Sequence, residues 1–102
     1  MAFDIELIRG PDSVTVRLQG ELDYAMIETC LPVLAEVKQI TAARYVADVS
    51  DLSAIDSSGL GMLISLRNAA VKAAATFHIR GARGQVAETL KLTRFEVLAT
   101  LE

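Results

Sequence analysis

The stretch Ala54-Ile55-Asp56-Ser57-Ser58-Gly59-Leu60-Gly61 decides how the rest of the chain is read. It follows an apolar run, Tyr45–Val49, that reads as a buried strand, and it precedes an apolar-periodic segment, Leu60–Ala74, that reads as a helix. A strand, a polar turn and a helix in that order put Ser57 and Ser58 at a helix N-terminus. Backbone N–H groups there lack intrahelical partners, and the positive end of the helix dipole favours oxyanions. A hydroxyl in that position serves either as a helix cap or as an acceptor of phosphate. Ser57 is the expected N-cap.

Outward from this stretch, the upstream half begins with two alternating segments. Phe3–Arg9 has Phe3, Ile5 and Leu7 on one face, and Val14–Leu18 has Val14, Val16 and Leu18. Gly10-Pro11-Asp12 between them fits turn dihedrals, so the pair reads as an antiparallel hairpin with one face on the core. Gly20-Glu21-Leu22-Asp23 ends the hairpin and leads into a helix whose apolar stripe is Ile27, Cys30, Leu31, Leu34 and Val37. Pro32 inside that stripe would remove a backbone bond at a cost of about 3 kcal/mol, so a start delayed to Thr29, or an irregular one, is expected. Cys30 lies on the stripe and reads as core rather than as a reactive thiol.

Downstream, the helix from Ser58 to Ala74 is expected to bury Leu60, Leu63, Ile64, Leu66, Ala70, Val71 and Ala74, with Arg67 unexplained in the middle of that face. Thr76–Arg80 reads as a strand, with His78 structural. Gln85–Thr93 reads as a short helix with Val86 and Leu90 inward, and Val97–Leu101 as a last strand. Strands alternate with helices after the hairpin. The fold class is therefore α/β, a mixed β-sheet of four to five strands with helices packed on it, and residues 1–102 form one domain.

Composition narrows the function. Among 102 residues, 52% are hydrophobic and 23% charged, the balance of a packed globule. Ten basic residues against thirteen acidic ones, scattered along the chain, offer no basic patch for nucleic acid. One cysteine and no metal-ligand spacing fit a reducing compartment, and neither a secretory leader nor an apolar run of about 20 residues is present to carry or anchor the chain across a membrane. A cytoplasmic location is the expectation. Enzyme chemistry finds little support. Ile55-Asp56-Ser57-Ser58-Gly59 lacks the first glycine of a nucleophile elbow, and His78 is the only histidine. Asp48, Asp51 and Asp56 miss a calcium-loop spacing, and Gly59 and Gly61 are followed by Ile64 where a phosphate-cradling loop would have its third glycine.

These residues resemble the STAS family, the sulphate transporter and anti-sigma factor antagonist domains. Gly20-Glu21-Leu22-Asp23 is similar to the family's G-x-L-D lead into its first helix. Asp48 through Gly61 resembles its central segment, ending Asp-Ser-Ser-Gly-Leu-Gly, and Glu88–Thr93 resembles its late helix. Arg94 departs from the pattern, standing where a glycine often follows that helix. The resemblance implies an anti-sigma factor antagonist with no catalytic residue, cofactor or metal of its own. Its implied partners are an anti-sigma factor with GHKL-type serine kinase activity, which phosphorylates Ser58, and a serine phosphatase that resets it. Unphosphorylated protein would bind the anti-sigma factor, and phosphate on Ser58 would block binding. The alternative is a non-switching module of the same family, serving as a stress-complex scaffold or docking on a lipid-transport ATPase.

A partner surface is expected around that serine. At 100° per residue, Ser58, Gly61, Met62, Ser65 and Ala69 share one side of the helix, a strip of small residues with one flexible methionine. Asp23, Asp56, Ser57 and Gly59 complete the expected docking surface at its head.

Overall fold

The computed structural model describes residues 3–102. Strand β1 (Asp4–Arg9) turns back into β2 (Ser13–Leu22), and a 3-10 turn (Tyr24–Met26) opens α1 (Ile27–Val37). Then follow β3 (Arg44–Ile55), α2 (Ser57–Lys72), β4 (Thr76–Arg80), α3 (Gly84–Leu92), a second 3-10 turn (Phe95–Val97) and β5 (Thr100–Leu101). The sheet order is β1-β2-β3-β4-β5, with β1 antiparallel to β2 and the remaining pairs parallel. Each parallel step moves one strand in the same direction through one helix. Right-handed crossovers then place all three helices on one face of the sheet.

The alternation of buried residues follows from that arrangement. Val14, Val16 and Leu18 of β2, Tyr45, Ala47 and Val49 of β3, and Phe77 and Ile79 of β4 form one core with the inward residues of the helices. The intervening residues form the opposite, more polar face, on which Val46 and His78 of the central strands are nonetheless buried. Its register sets Glu6 beside Arg17, Arg17 beside Asp48 and Asp48 beside Arg80, a row of alternating sign across four strands. Arg17 pairs with Asp51 at 2.8 Å and Arg80 with Asp48 at 3.3 Å. Burial alone pushes the Asp48 carboxyl up, but the Ser50 hydroxyl and amide, with the Arg80 guanidinium, outweigh it and hold the group below the usual carboxylate range. His78 lies buried on this face beside Arg44, Thr76 and Glu102, on the opposite side of the sheet from α2. Burial pushes the Cys30 thiol up to about 11, which keeps it protonated at neutral pH.

Several elements differ from their sequence reading. Residues Gly20–Leu22, read as the end of a hairpin, continue β2 and pair with Leu52, Ala54 and Ile55 of a β3 that runs well past Val49. Register shifts between Arg17 and Gln19 and between Gly20 and Glu21 absorb the irregularity. The delayed helix start is wrong, whereas the irregular one is right: α1 is regular from Ile27, after the 3-10 turn. Pro32 is tolerated because it faces solvent, and the carbonyl it leaves without a donor belongs to exposed Glu28. Leu31, assigned to the stripe, is 52% exposed. The last strand is confined to Thr100–Leu101.

The largest correction concerns the rotation of α2. Its buried residues are Gly59, Met62, Leu63, Leu66 and Ala70, whereas Ile64 and Val71 are exposed and Ala74 lies beyond the helix end. Gly59 explains the shift. Having no side chain, it lets the first turn press on the end of β2, and residues within about 60° of it become the inward face. Weighing positions by hydrophobicity gives glycine no vote. With the helix so turned, Arg67 leaves the core face for its half-buried flank.

Candidate functional site

The serine-bearing turn is built from the end of β3, which is held on both sides. Leu22 of β2 pairs with Ile55, and its carbonyl accepts from the Asp56 N–H at 3.2 Å. On the other side β4 has already ended, and a side chain takes the place of a strand. Gln85 of α3 accepts from the Ile55 N–H at 2.8 Å and donates to the Ile55 carbonyl at 2.9 Å. Its amide also donates to Thr89 Oγ1 at 2.9 Å, one turn along α3. Gln85 thus satisfies backbone groups that would otherwise sit at a sheet edge.

Asp56, not Ser57, is the N-cap of α2. It is extended (φ −110°, ψ −172°), and its Oδ1 accepts from the Gly59 N–H at 2.9 Å. Its backbone carbonyl accepts the first helical bond from Leu60 at 3.0 Å. The other carboxylate oxygen, Oδ2, accepts from the Tyr24 N–H at 3.2 Å, across from the loop that follows β2. One side chain therefore fixes the start of the helix and the loop beside it.

Because Asp56 makes the cap contact, the hydroxyls of Ser57 and Ser58 are not needed for it. Ser57 is the first helical residue and exposed; Ser58 is the second and half-buried. The first turn of α2 contains no acidic residue, so the dipole at this end is met only by the Asp56 cap. Asp23 stands alongside, half-buried, with its Oδ1 buried and lacking a hydrogen-bond partner among the described residues. Such an acceptor costs about 1–3 kcal/mol while unpaired. A donor brought by another molecule would relieve that cost.

Gly59 packs where no side chain fits: a Cβ there would lie 2.5 Å from Ile55 Cγ1 and 2.7 Å from the Leu22 carbonyl oxygen. Gly61 is exposed, and a Cβ would meet nothing within 4 Å.

The structure brings Asp23, Asp56, Ser57 and Ser58 together at one end of α2, but Gly59, expected on the docking surface, is buried against β2 and β3, and the expected strip is divided. Met62 is 4% exposed and belongs to the core, so it cannot form part of a surface. Ser65 and Ala69 face the end of α1 and line, with Lys38, Thr41, Tyr45 and Lys72, a groove of about 470 Å³. Ser65 also donates back to the Gly61 carbonyl at 3.1 Å. The side of α2 that faces outward beside Gly61 is instead Ile64, Asn68 and Val71.

Sequence reasoning missed two residues. Gln85 left no signal, since an exposed glutamine near a helix start is unremarkable until its amide is seen on Ile55. Tyr24 had a faint one, an aromatic directly after Gly-x-Leu-Asp and outside any apolar stripe.

The comparisons with known proteins agree with this architecture. The STAS domain family model matches residues 4–101. A STAS-domain containing protein of Pseudomonas aeruginosa (strain UCBPP-PA14) is 32% identical over 85 residues, covering 83% of each chain. Among solved structures, an anti-sigma factor antagonist from Mycobacterium paratuberculosis superposes with a TM-score of 0.84 at 20% identity, over 98% of this chain and 85% of its own. The anti-sigma factor antagonist SpoIIAA in its unphosphorylated form gives 0.71 at 21% identity, over 99% and 87%. The phosphorylated form of the Bacillus cell fate determinant SpoIIAA also gives 0.71, at 20% identity, over 99% and 91%. Likeness at those identities speaks for the fold alone, a five-stranded mixed sheet with three helices. With the family model spanning nearly the whole chain and a relative above 30% identity beside it, this chain belongs to the STAS domain family.

Proposed function

We propose that this chain is an anti-sigma factor antagonist of a partner-switching pathway, with Ser58 as its phosphate acceptor. The observation that carries the reading is the division of labour at the head of α2: Asp56 caps the helix, leaving the Ser58 hydroxyl available at the second helical position. In the unphosphorylated state the surface around Asp23, Asp56, Ser57, Ser58 and Gly61 binds an anti-sigma factor that is itself a GHKL-type serine kinase. That kinase transfers the γ-phosphoryl group of ATP to Ser58 Oγ; ADP leaves, and the hydroxyl proton passes to the kinase. A serine phosphatase reverses the step by hydrolysis. The setting is cytoplasmic, and the chain supplies a binding surface rather than catalysis.

Phosphate adds about −1.5 to −2 charges at neutral pH. The helix N-terminus offsets about 0.3–1 kcal/mol of that at an exposed site. Asp56 and Asp23 oppose it, and a partner packed on the turn would have to bury it. Binding is therefore lost through local charge and sterics, without refolding. Support comes from SpoIIAA, whose unphosphorylated and phosphorylated forms match this fold equally, each with a TM-score of 0.71.

The test is phosphopeptide mapping after incubation with the kinase and ATP. Phosphate on Ser58, abolished by Ser58→Ala, is expected. Phosphate on Ser57 alone, or undiminished labelling of the variant, would overturn the assignment. Ser58→Asp is expected to weaken binding while circular dichroism stays native.

A further inference from the structure

Tyr24 is 80% exposed, more than any other large apolar side chain among the described residues, whereas the chain's other tyrosine, Tyr45, is 3% exposed. An aromatic ring held out in water beside a functional turn costs solvation and gains no packing, and such rings are enriched where partners anchor. The backbone that carries it is tethered. The Tyr24 N–H donates to Asp56 Oδ2, and Asp56 Oδ1 accepts from Gly59 in the turn that carries Ser57 and Ser58.

We propose that Tyr24 is the residue by which the anti-sigma factor grips this chain, and that Asp56 couples the presentation of its ring to the state of Ser58. The inference rests on the proposed function and deepens it. Charge specifies the gripping surface. No lysine, arginine or histidine occurs between Arg17 and Lys38, nor between Asp48 and Arg67, and these are the segments that meet at Tyr24 and Asp56. They bring Glu21, Asp23 and Asp56 instead, with Asp23 Oδ1 buried and unpartnered. A surface that covers this ring must therefore carry a cationic side chain beside an apolar pocket. An arginine fits both needs, since its guanidinium pairs with carboxylates and stacks on a ring face.

The coupling is how the local charge acts: the phosphate does not repel a cationic partner directly, but repels the Asp56 carboxylate beside it. A phosphate on Ser58 lies within the same turn as Asp56, repels its carboxylate, and competes with it for the N–H groups of the first turn. Once Asp56 swings away, the Tyr24 N–H loses its acceptor, and the ring is no longer held where the partner's pocket expects it.

The first arm of the test needs no partner. Amide hydrogen exchange at Tyr24 is compared between the unmodified protein, protein with phosphoserine incorporated at Ser58, and Asp56→Ala. Exchange at Tyr24 is expected to quicken at least about tenfold in both altered proteins, while the amide of Tyr45, in the core of β3, is unchanged. Unaltered protection of Tyr24 in the phosphorylated protein, or in Asp56→Ala, overturns the coupling. The second arm measures affinity for the purified anti-sigma factor kinase. Tyr24→Ala is expected to weaken binding at least about tenfold with native circular dichroism, and Tyr24→Phe to stay within about threefold. Equal binding by wild type and Tyr24→Ala overturns the grip. Failure of the wild type to bind any such kinase overturns the proposed function and the grip with it, and the exchange measurement still decides the coupling.

Discussion

Gly59 and Gly61 stand two residues apart in α2, yet they answer to different demands. On the inward side, a methyl group at Gly59 would come within 2.5 Å of Ile55 Cγ1 and 2.7 Å of a backbone oxygen of β2. On the outward side, the same methyl at Gly61 would touch nothing within 4 Å. Neither residue has a positive φ, so backbone conformation does not require glycine at either place. The first glycine is explained by the fold and the second is not. The same division runs down the helix: Leu63 is fully buried, whereas its neighbour Ile64 is 38% exposed. One side of α2 is specified by packing, and the other carries residues that packing does not ask for.

The most severe way to break the comparison is to shorten both neighbours. Leu63→Ala should cost about 2–5 kcal/mol, the transfer loss plus a cavity between α2 and the sheet. Ile64→Ala should cost about 1 kcal/mol or less, since part of its surface is already in water. Chemical denaturation of the two variants checks this. Equal losses would mean that the helix is rotated from the orientation described.

Next in size is Gly59→Ala. The methyl would press on Ile55 and on the Leu22 carbonyl, and backbone cannot yield as a flexible side chain does. The expected destabilisation is about 2–3 kcal/mol, seen as a fall in Tm of roughly 10–20 °C for a domain of this length. An unchanged Tm would show that the first turn of α2 can lift from β2 at no cost.

A smaller effect tests how the turn is held from outside the helix. Gln85→Ala removes the amide that pairs with both backbone groups of Ile55. Each group left without a partner is costly only if water cannot reach it, so a loss of about 1–2 kcal/mol is expected. Faster amide exchange at Ile55 should accompany it, and a stability loss without that change would place the effect elsewhere in α3.

What could be read from the sequence follows the same line. Alternation in β2 and the periodicity of α3 placed Val14, Val16, Leu18, Val86 and Leu90 correctly, because one face of each element is plainly apolar. The Asp-Ser-Ser-Gly turn was found through its residue types and its place between strand and helix. Its cap was misassigned, because serine and aspartate are both good caps and only geometry chooses between them. The rotation of α2 was missed for a related reason: apolar residues lie all round this helix, and the deciding contact is made by a glycine. Arg94 shows the limit from the other side. It adopts the left-handed conformation (φ 55°) that glycine ordinarily supplies after a helix, so the departure from the family pattern changed the residue and left the turn intact. The links from Gln85 to Ile55 and from Asp56 to Tyr24 join residues about thirty positions apart, and no local pattern encodes such pairs.

The smallest expected effect is the most informative. Glycine in an exposed helix interior costs about 0.5–1 kcal/mol relative to alanine, through the freedom it loses on folding. With open space around its Cα and helical backbone geometry, Gly61→Ala should therefore stabilise the isolated protein by that amount, raising Tm by a few degrees. A fold free to choose would have alanine there. If the variant is more stable and binds the anti-sigma factor kinase less well, the missing side chain serves the approach of the partner to the helix backbone, one turn from Ser58. The outward side of α2 would then be shaped by docking, as the inward side is by packing. If it is more stable and binds as well as the wild type, the partner does not approach α2 at this point. The docking surface would then be confined to the head of the helix and the loop that carries Tyr24.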